Sequence, residues 1–269
     1  MKRRRPGEAS SKRGRLDERL VALGLADTRS RAEALIRTGR VLVDDRPVEK
    51  PGTPVAADAE IRVRGGERRY VSRGGEKLAP ALAHFSIDPT GRVCVDIGAS
   101  TGGFTDCLLQ HRAAHVVALD VGYGQLSARL RNDSRVTVRE RENARNLAAG
   151  GLPAETRLVT VDVSFISVRL ILPGLRRAAP DAEVLVLVKP QFEVGREQVG
   201  RGGVVRDDGL RHAALASVRE AAAALGYPAR GAVDCEVPGP KGNREIFLHL
   251  GPPGGIPPES PKSRNPGEN

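Results

Sequence analysis

The chain has 269 residues, enough for one large domain or two ordinary domains that each bury a hydrophobic core. Its formal net charge is +10, which indicates a polyanionic partner such as nucleic acid. The first 77 residues contain 20 Lys and Arg against 12 Asp and Glu, so most of this excess belongs to the N-terminal part.

Composition also argues against several classes of protein. Three cysteines, with no CxxC spacing and no paired histidines, indicate neither a disulfide framework nor a metal site. No apolar stretch approaches the roughly 18 residues of a membrane span, and the N-terminus lacks the apolar region of a secretion signal. We therefore expect a soluble, cytoplasmic protein that binds neither a metal nor a membrane.

The first predicted elements follow a basic tail, residues 1–14, which is poor in apolar residues and is expected to be disordered. After the tail, apolar residues at helical spacing indicate two short helices, and VLVDDRPV then predicts a hairpin that turns at Asp44 and Asp45. The residues expected to face the core are Leu16, Leu20 and Leu23 in the first helix, and Ala32, Leu35 and Ile36 in the second.

This α-α-β stretch, RLDERL followed by TRSRAEALIRTGRVLVDD, resembles the S4 RNA-binding domain, which we place at residues 15–60. The resemblance implies that the second helix and the following turn present cations to RNA phosphates, contacts that read shape more than base sequence. The alternative is an ordinary charged helix face in solvent. The matching cations are Arg15, Arg19, Arg29, Arg31, Arg37 and Arg40.

A second domain is predicted at residues 75–250, after a linker rich in glycine and arginine at residues 61–74. Helical patterns alternate there with apolar strands, which predicts an α/β fold with a Rossmann-like, doubly wound and mainly parallel seven-stranded sheet. The tail at residues 251–269 is rich in Pro and Gly and is expected to be disordered. The strand candidates are residues 93–98, 115–122, 135–140, 157–164, 184–188, 229–237 and 245–250.

The carboxyl ends of these strands carry the candidate ligand-binding residues, because ligands of such sheets gather there. Asp96, Asp120 and Asp162 each lie at a strand end. In DIGASTGGF, the glycines let the backbone approach a ligand and open a helix toward it. Asp120, about twenty residues further on, is placed to accept the two ribose hydroxyls of an adenosine.

The same loop separates two classes of cofactor. The GxGxxG fingerprint of dinucleotide enzymes needs a glycine where this chain has Ser100, and the acid Asp96 suits a cationic ligand better than a pyrophosphate. VDIGASTGGFTD resembles the S-adenosylmethionine loop of class I methyltransferases, whose cofactor is a cationic sulfonium. Asn143 either neighbours the adenine or caps a helix. With Asn143, the full set of residues implied in cofactor binding is Asp96, Gly98, Ser100, Thr101, Gly102, Gly103, Phe104 and Asp120.

The strand VLVLV, residues 184–188, ends on Lys189, with Pro190 directly behind it. Only seven of the 43 basic residues are lysines, and Lys189 is the sole lysine between residues 78 and 240. Arginine keeps its proton in proteins, whereas a lysine in an apolar site beside another cation can release it. A lone lysine at this position therefore favours chemistry over a surface charge.

Further motifs carry a resemblance to a family. YVSRGGEKLAPAL, ALDVGYGQL, DVSFISVRLILP, LVKPQFE and GPKGNREIFLHL, in this order, resemble the TlyA-type (hemolysin A) ribosomal RNA methyltransferases, in which an S4 domain precedes an FtsJ-like methyltransferase domain. The resemblance implies S-adenosylmethionine-dependent 2′-O-methylation of ribose in ribosomal RNA, with cytidine as the expected nucleoside and ribosomal subunits as partners. It also implies a catalytic tetrad of Lys77, Asp162, Lys189 and Glu245.

This tetrad suits the reaction. A ribose hydroxyl is a poor nucleophile until it loses its proton, so the site needs a base beside it and an oriented methyl donor. Lys189, next to the second cation Lys77, would serve as that base, with Asp162 and Glu245 orienting the lysines and the hydroxyl. An in-line displacement at a sulfonium carbon needs no metal.

Three alternatives stay open at this point. A base methyltransferase of the exocyclic-amine type would carry [DNS]PP[YF] where this chain has DVSF, and no cysteine follows a strand end as carbon methylation requires. A non-catalytic ribosome-binding factor would keep the fold without needing the complete tetrad. A membrane-lytic protein, which the hemolysin name suggests, would need a signal, a span or a strongly amphipathic apolar helix.

Overall fold

The computed structural model describes residues 14–253, except for 24, 27, 58, 65–68, 201, 240 and 241. The chain divides into two units, Met1–Arg68 and Arg69–Asn269. The tails predicted at residues 1–14 and 251–269 lie outside the described residues, apart from Gly14 and residues 251–253.

The N-terminal unit is a small α+β domain. In its described part, β2 lies at the centre of a three-stranded antiparallel sheet between β3 and β5, while β1 pairs with β4. Asp44 and Asp45 both have positive φ, which matches the tight hairpin turn predicted between β2 and β3. The elements are β1 (Gly14–Arg15), α1 (Leu16–Ala22), α2 (Arg29–Arg37), β2 (Val41–Val43), β3 (Arg46–Pro47), β4 (Pro54–Val55) and β5 (Ile61–Val63).

The core of this unit follows the predicted helix faces with one exception. Leu23 is 51% exposed, because α1 ends at Ala22 and Leu23 is already the C-cap residue of this helix. Thr28 caps α2 by accepting a hydrogen bond from the backbone N–H of Arg31. The predicted core residues that are buried are Leu16, Leu20, Ala32, Leu35 and Ile36.

The structure differs from the predicted linker at residues 61–74. Ile61–Val63 is a strand, since Ile61 is buried and its backbone pairs with Val43 of β2. At the other end, helix α3 already begins at Arg73. A Cβ on Gly75 would lie 2.1 Å from Cγ of Tyr70, so the close approach of this ring accounts for a glycine inside the helix.

The C-terminal unit alternates strands with helices as predicted. Short 3₁₀ turns also follow β8, β9 and α7. Its elements are α3 (Arg73–His84), β6 (Val93–Ile97), α4 (Gly103–Gln110), β7 (His115–Leu119), α5 (Ala128–Arg131), β8 (Val136–Arg139), β9 (Thr156–Val161), α6 (Leu172–Ala178), β10 (Glu183–Val188), α7 (Pro190–Glu193), α8 (Asp208–Ala224), β11 (Ala229–Asp234) and β12 (Ile246–Leu250).

Seven strands of this described unit form one sheet in the order β11-β12-β10-β9-β6-β7-β8. Every neighbouring pair among β10, β9, β6, β7 and β8 is parallel, and β12 runs antiparallel to both β10 and β11. The chain reverses its winding direction between β6 and β9, so the ligand crevice is expected at their carboxyl ends. The predicted doubly wound, mainly parallel sheet is confirmed.

Both faces of the sheet are buried, which explains the unbroken apolar run of β10. Val184, Val186 and Val188 pack in the cluster that includes α6 and α8, whereas Leu185 and Leu187 pack in the cluster that includes α3 and α4. Such a strand has no solvent face to carry polar residues. Among the helices described, none has both the length and the apolar character needed to cross a bilayer.

Candidate active site

The site lies at the edge where the parallel strands end. Ile97, the last residue of β6, pairs with Leu119, the last residue of β7, and with Val161, the last residue of β9. The three strands therefore end side by side, and the loops that follow them begin next to one another. The antiparallel strand β12 begins at the same edge, because its first residue pairs with Val188 of β10. Lys189 and Glu245, which flank that pair, are therefore neighbours along the edge.

Lys189 leaves β10 and turns its ammonium group to the loop after β9. Its Nζ lies 2.5 Å from Oδ1 of Asp162 and donates a hydrogen bond to Oγ of Ser164 at 2.9 Å. Its side chain is only 9% exposed, so this is a largely buried ion pair at the mouth of the sheet. Asp162 and Lys189, predicted from two strand ends, are brought together by the parallel pairing of β9 with β10.

Lys77 and Glu245 form a second buried pair. Lys77 extends from α3 and donates to Oε2 of Glu245 at 2.6 Å, and the Glu245 side chain is completely buried. The other oxygen of Glu245, Oε1, is buried and makes no hydrogen bond within the described residues. A buried carboxylate oxygen without a donor is an available acceptor for a polar group that enters the site.

Glu245 is held by the turn that precedes it. The side chain of Asn243 is buried, where its Oδ1 accepts from the backbone N–H of Val205 and its Nδ2 donates to the carbonyl of Gly203. A Cβ on Gly239 would lie 2.2 Å from Oε1 of Glu245, so the backbone there passes directly against the carboxylate. The position of Glu245 therefore depends on the buried side chain of Asn243 and on the backbone at Gly239.

The glycine-rich loop after β6 has a packing role as well as the predicted ligand role. Gly98 has a φ of +84°, and a Cβ there would lie 2.4 Å from the carbonyl oxygen of Asp162. A Cβ on Gly103 would lie 2.2 Å from Oγ of Ser72, where α4 meets the start of α3. Gly102 and Phe104 are likewise buried, with the Phe104 ring 6.1 Å from that of Phe247.

Asp96 lies behind the predicted ligand surface rather than on it. Its side chain is fully buried and accepts hydrogen bonds from the backbone N–H and hydroxyl of Thr105 and from the hydroxyl of Thr160. Burial raises the pKa of Asp96 to about 7, against the lowering effect of the Thr105 hydrogen bonds. Asp96 thus holds the start of α4 and the glycine loop in place.

Asp120 faces the crevice with both oxygens partly engaged. Its Oδ2 accepts from the backbone N–H of Ser100 at 2.8 Å and its Oδ1 from that of Gly122 at 2.6 Å. Each carboxylate oxygen has a further lone pair, so the group fits two ribose hydroxyls without losing either bond. Thr101 is exposed beside Ser100, and the Asn143 side chain caps the following 3₁₀ turn by accepting from the N–H of Arg145.

Two residues near the edge were not predicted from the sequence. Phe165, three residues after Asp162, is 91% exposed with a φ of +67°, and its ring centroid lies 5.4 Å from that of Phe192. Glu193 is buried and accepts hydrogen bonds from Ser167 and Val168. The only sequence signal for Phe165 was an aromatic residue in DVSF, the motif that contains the candidate residue Asp162.

The arginines predicted to bind RNA lie on the N-terminal unit, and most of them have local partners. The buried carboxylate of Asp17 is paired with Arg15 at 2.8 Å and with Arg29 at 3.1 Å. Arg37 pairs with Glu33 at 3.6 Å, and Arg19 and Arg40 donate to backbone carbonyls. Arg31 lies partly exposed on α2.

No cluster of three or more His, Cys, Asp or Glu side chains suited to a metal ion occurs in the described part of the chain. The two carboxylates of the predicted tetrad pair with lysines: Asp162 contacts Lys189, and Glu245 contacts Lys77. The site thus consists of two lysine–carboxylate pairs beside the glycine-rich loop and the carboxylate of Asp120.

The sheet and this loop define the class: a Rossmann-like methyltransferase fold. A solved structure from Listeria monocytogenes, a putative S-adenosylmethionine-dependent methyltransferase, superposes with a TM-score of 0.50 over 67% of this chain and 99% of that chain. At 14% identity the likeness concerns the fold alone.

The family follows from closer comparisons. The model of the FtsJ-like methyltransferase family matches residues 70–252, and that of the S4 domain matches residues 14–61. The 16S/23S rRNA (cytidine-2′-O)-methyltransferase TlyA of Mycobacterium tuberculosis is 49% identical over 89% of this chain and 90% of its own length. The chain belongs to the TlyA-type branch of the FtsJ-like methyltransferases, as the sequence motifs implied.

A solved structure of the same kind spans both units. It is a putative hemolysin from Streptococcus thermophilus, 38% identical, with a TM-score of 0.70 over 94% of each chain.

Proposed function

We propose that this protein transfers a methyl group from S-adenosylmethionine to the ribose 2′-hydroxyl of a cytidine in ribosomal RNA. The observation that carries the proposal is the pair of lysine–carboxylate contacts, Lys189 with Asp162 and Lys77 with Glu245, at one edge of a methyltransferase sheet. The name of the mycobacterial relative supports both the substrate and the nucleoside.

The residues around the glycine loop fit the cofactor. Asp120 would accept the ribose hydroxyls, and the exposed Ser100 and Thr101 would line the entrance to the loop. Asp96 would act from behind, by holding the loop through Thr105. When bound, the cofactor supplies an electrophilic methyl group on a sulfonium.

Lys189 and Asp162 would divide the work on the hydroxyl. An ammonium carries three donors, and contacts with Asp162 and Ser164 leave one for the ribose oxygen. The sequence suggested Lys189 as the base, but an ammonium paired with Asp162 has no lone pair, so the hydroxyl proton would pass to Asp162 instead. As the ribose oxygen takes the methyl group, the carbon–sulfur bond of the sulfonium would break and leave a neutral thioether. Lys77 and Glu245 would also hold the ribose: the ammonium of Lys77 would donate a hydrogen bond to it, and Oε1 of Glu245 would accept one from it.

The N-terminal S4 domain, whose sheet includes β5 and so extends to Val63, would hold the RNA. Its arginines supply phosphate contacts, which position the RNA and leave the choice of nucleotide to the C-terminal unit. Hydrogen bonds to the buried carboxylate of Asp17 orient the guanidinium groups of Arg15 and Arg29. The proposed division of the chain is thus an RNA-holding domain followed by a catalytic domain that includes the whole of helix α3 from Arg73.

The test is the transfer of labelled methyl from S-adenosylmethionine to each ribosomal subunit, purified from a strain that lacks the modification. Wild type is compared with Lys189→Ala and with Glu183→Gln, a control that alters a partly buried ion pair at the opposite end of the same strand. We expect wild type and control to label ribose. Because Lys189 holds Asp162 and donates to the ribose oxygen, Lys189→Ala should impair the proton transfer and lower kcat by about 10²–10⁴ while cofactor binding persists.

The outcomes separate the alternatives. Label on a base instead of a ribose would contradict 2′-O-methylation. Failure of wild type to label either subunit, with RNA binding intact, would favour the non-catalytic ribosome-binding factor. Release of dye from lipid vesicles by the pure protein would favour the membrane-lytic alternative.

A further inference from the structure

Glu193 is a buried carboxylate that connects two loops of the site. It ends the short helix α7, four residues after Lys189, and its side chain is almost completely enclosed. Its Oε2 accepts from the hydroxyl of Ser167 at 2.6 Å, and its Oε1 accepts from the backbone N–H of Val168 at 2.8 Å. Arg169 donates both to Oε2 and to the backbone carbonyl of Glu193, each at 3.3 Å.

The three donor residues all belong to the loop that follows β9. This loop starts with Asp162, whose carboxylate contacts Lys189, and it reaches Ser167 five residues later. Between these two fixed points lies Phe165, which is in the left-handed region of backbone space and 91% exposed. A non-glycine residue adopts that conformation stably only when its surroundings enforce it.

We propose that Glu193 is a positioning residue: it fixes the far end of the Asp162 loop to the turn that carries Lys189, and so maintains the approach of Asp162 to Lys189. The proposal deepens the proposed methyl transfer and rests on it for its catalytic consequence. Its structural part, the restraint of Phe165, stands on the contacts alone.

The negative charge of Glu193 matters to this role. Its two carboxylate oxygens face a hydroxyl, a backbone N–H and a guanidinium, all of which donate. A glutamine has nearly the same shape but only one acceptor oxygen. The Ser167 hydroxyl can turn to accept from the amide nitrogen, but the backbone N–H of Val168 and the guanidinium of Arg169 cannot, so one of these two contacts is lost in either orientation of the amide. Glu193→Gln therefore breaks one side of the connection without creating a cavity.

Glu183 offers a matched control. It begins β10, the strand that leads to Lys189, and it is a partly buried carboxylate with an arginine and a histidine as partners, Arg92 and His249. It lies at the other end of the strand from Glu193. Glu183→Gln thus removes a comparable charge from the same strand without touching the loop.

The chain contains no tryptophan, so Phe165→Trp introduces a single fluorescent reporter at the tip of the loop. In this background we compare the fluorescence anisotropy and acrylamide quenching of the indole with and without Glu193→Gln. We expect Glu193→Gln to lower the anisotropy and raise the quenching, and Glu183→Gln to leave both unchanged. Ser167→Ala, which removes one donor and no charge, should shift both signals in the same direction by less.

Kinetics with the native Phe165 measure the catalytic consequence. Loss of alignment of Asp162 should lower kcat of Glu193→Gln by on the order of 10²-fold. The affinity for S-adenosylmethionine should stay within about twofold of wild type, since the glycine loop is untouched.

These readouts separate the inference from the proposed function. Unchanged anisotropy and quenching in both Glu193→Gln and Ser167→Ala would overturn the restraint of the loop. Equal losses of kcat in Glu193→Gln and Glu183→Gln would overturn the catalytic part, because general destabilisation would then account for both. A wild type that methylates no ribosomal subunit, with the fluorescence changes present, would overturn the proposed function and leave the restraint standing.

Discussion

Gly98 lies directly against Asp162: a Cβ added to this glycine would sit 2.4 Å from the carbonyl oxygen of Asp162. The first residue of the glycine-rich loop and the acid after β9 are 64 positions apart in the chain, and the pairing of β6 with β9 brings them together. The cofactor loop and the loop with the candidate catalytic acid thus share one contact.

Gly98→Ala tests this contact. The methyl group forces the two loops apart, and the φ of +84° adds strain that any non-glycine residue must bear, of order 1–3 kcal/mol. We expect weaker binding of S-adenosylmethionine together with a lower kcat. Calorimetric titration and single-turnover methylation measure the two effects. Gly124→Ala, at an open position with a similar positive φ, controls for backbone strain alone.

Lys77 and Glu245 should be strongly coupled. Both side chains are almost fully buried, so removing one partner leaves a buried charge without compensation, at a cost of about 3–5 kcal/mol. We expect Lys77→Met and Glu245→Gln each to lower the free energy of unfolding, and the double variant to recover part of the loss. Urea unfolding of the four proteins gives the coupling energy. Strict additivity would show that the contact contributes nothing in solution.

The stability of the protein should depend on the ionisation of Asp96. Its folded-state pKa of about 7 exceeds that of an unfolded aspartate, so the folded protein binds more protons between these values. The contribution of Asp96 to the free energy of unfolding must therefore fall as the pH rises through this window. The difference between wild type and Asp96→Asn should change by about 1 kcal/mol between pH 6 and pH 8, in favour of the variant at high pH.

This measurement is a pair of urea titrations at several pH values. Because Glu183 and Glu193 are present in both proteins, their own titrations cancel in the difference. A difference that does not vary with pH would show that Asp96 stays ionised throughout.

Phe165 offers an exposed aromatic face three residues from Asp162, where a nucleotide base of the substrate could stack. Stacking of one base on an aromatic side chain is worth about 1–3 kcal/mol. We expect Phe165→Ala to raise KM for the ribosomal subunit by about tenfold or more while cofactor affinity is unchanged, with Phe165→Tyr close to wild type. An alanine variant with the same KM as wild type would show that the ring does not contact the substrate.

The arginines of the S4 domain should differ in their effects. Arg29→Ala removes a partner of the buried Asp17, so it should lower stability as well as RNA affinity. Arg31→Ala should weaken RNA binding alone and reduce the slope of log K against log salt by about 0.7–0.9 for one phosphate contact. Filter binding over a salt series and thermal unfolding distinguish the two variants. An unchanged slope for Arg31→Ala would exclude it from phosphate binding.

Much of the site was accessible from the sequence because the fold is a parallel sheet. The apolar runs before Asp120, Asp162 and Lys189 predicted strands, and strands of one parallel sheet end at one edge. The structure keeps these three residues at that edge. The two helices of the S4 domain were similarly accessible from the spacing of their apolar residues.

Other features depended on contacts that no periodicity or motif in the sequence indicates. Helix α3 contains Gly74, Gly75 and Pro80, a composition that disfavours a helix, and its glycines are explained by Tyr70, Ser72 and the backbone of Gly103. Asp96 was predicted to face the cofactor, yet Thr105 and Thr160 enclose it, because whether a strand-end acid points outward or inward depends on the neighbouring strand and helix.

By itself, the sequence determined the order of elements, the edge at which ligands gather and the residue types available there, since periodicity, glycine spacing and side-chain chemistry are local properties. Only the tertiary structure decided which acid pairs with which lysine, which glycine serves packing, and that Glu193 accepts hydrogen bonds from the loop after β9. Those relations join residues up to 168 positions apart, and hydrogen bonds and ion pairs act over about 3 Å, so they exist only once the strands are in register.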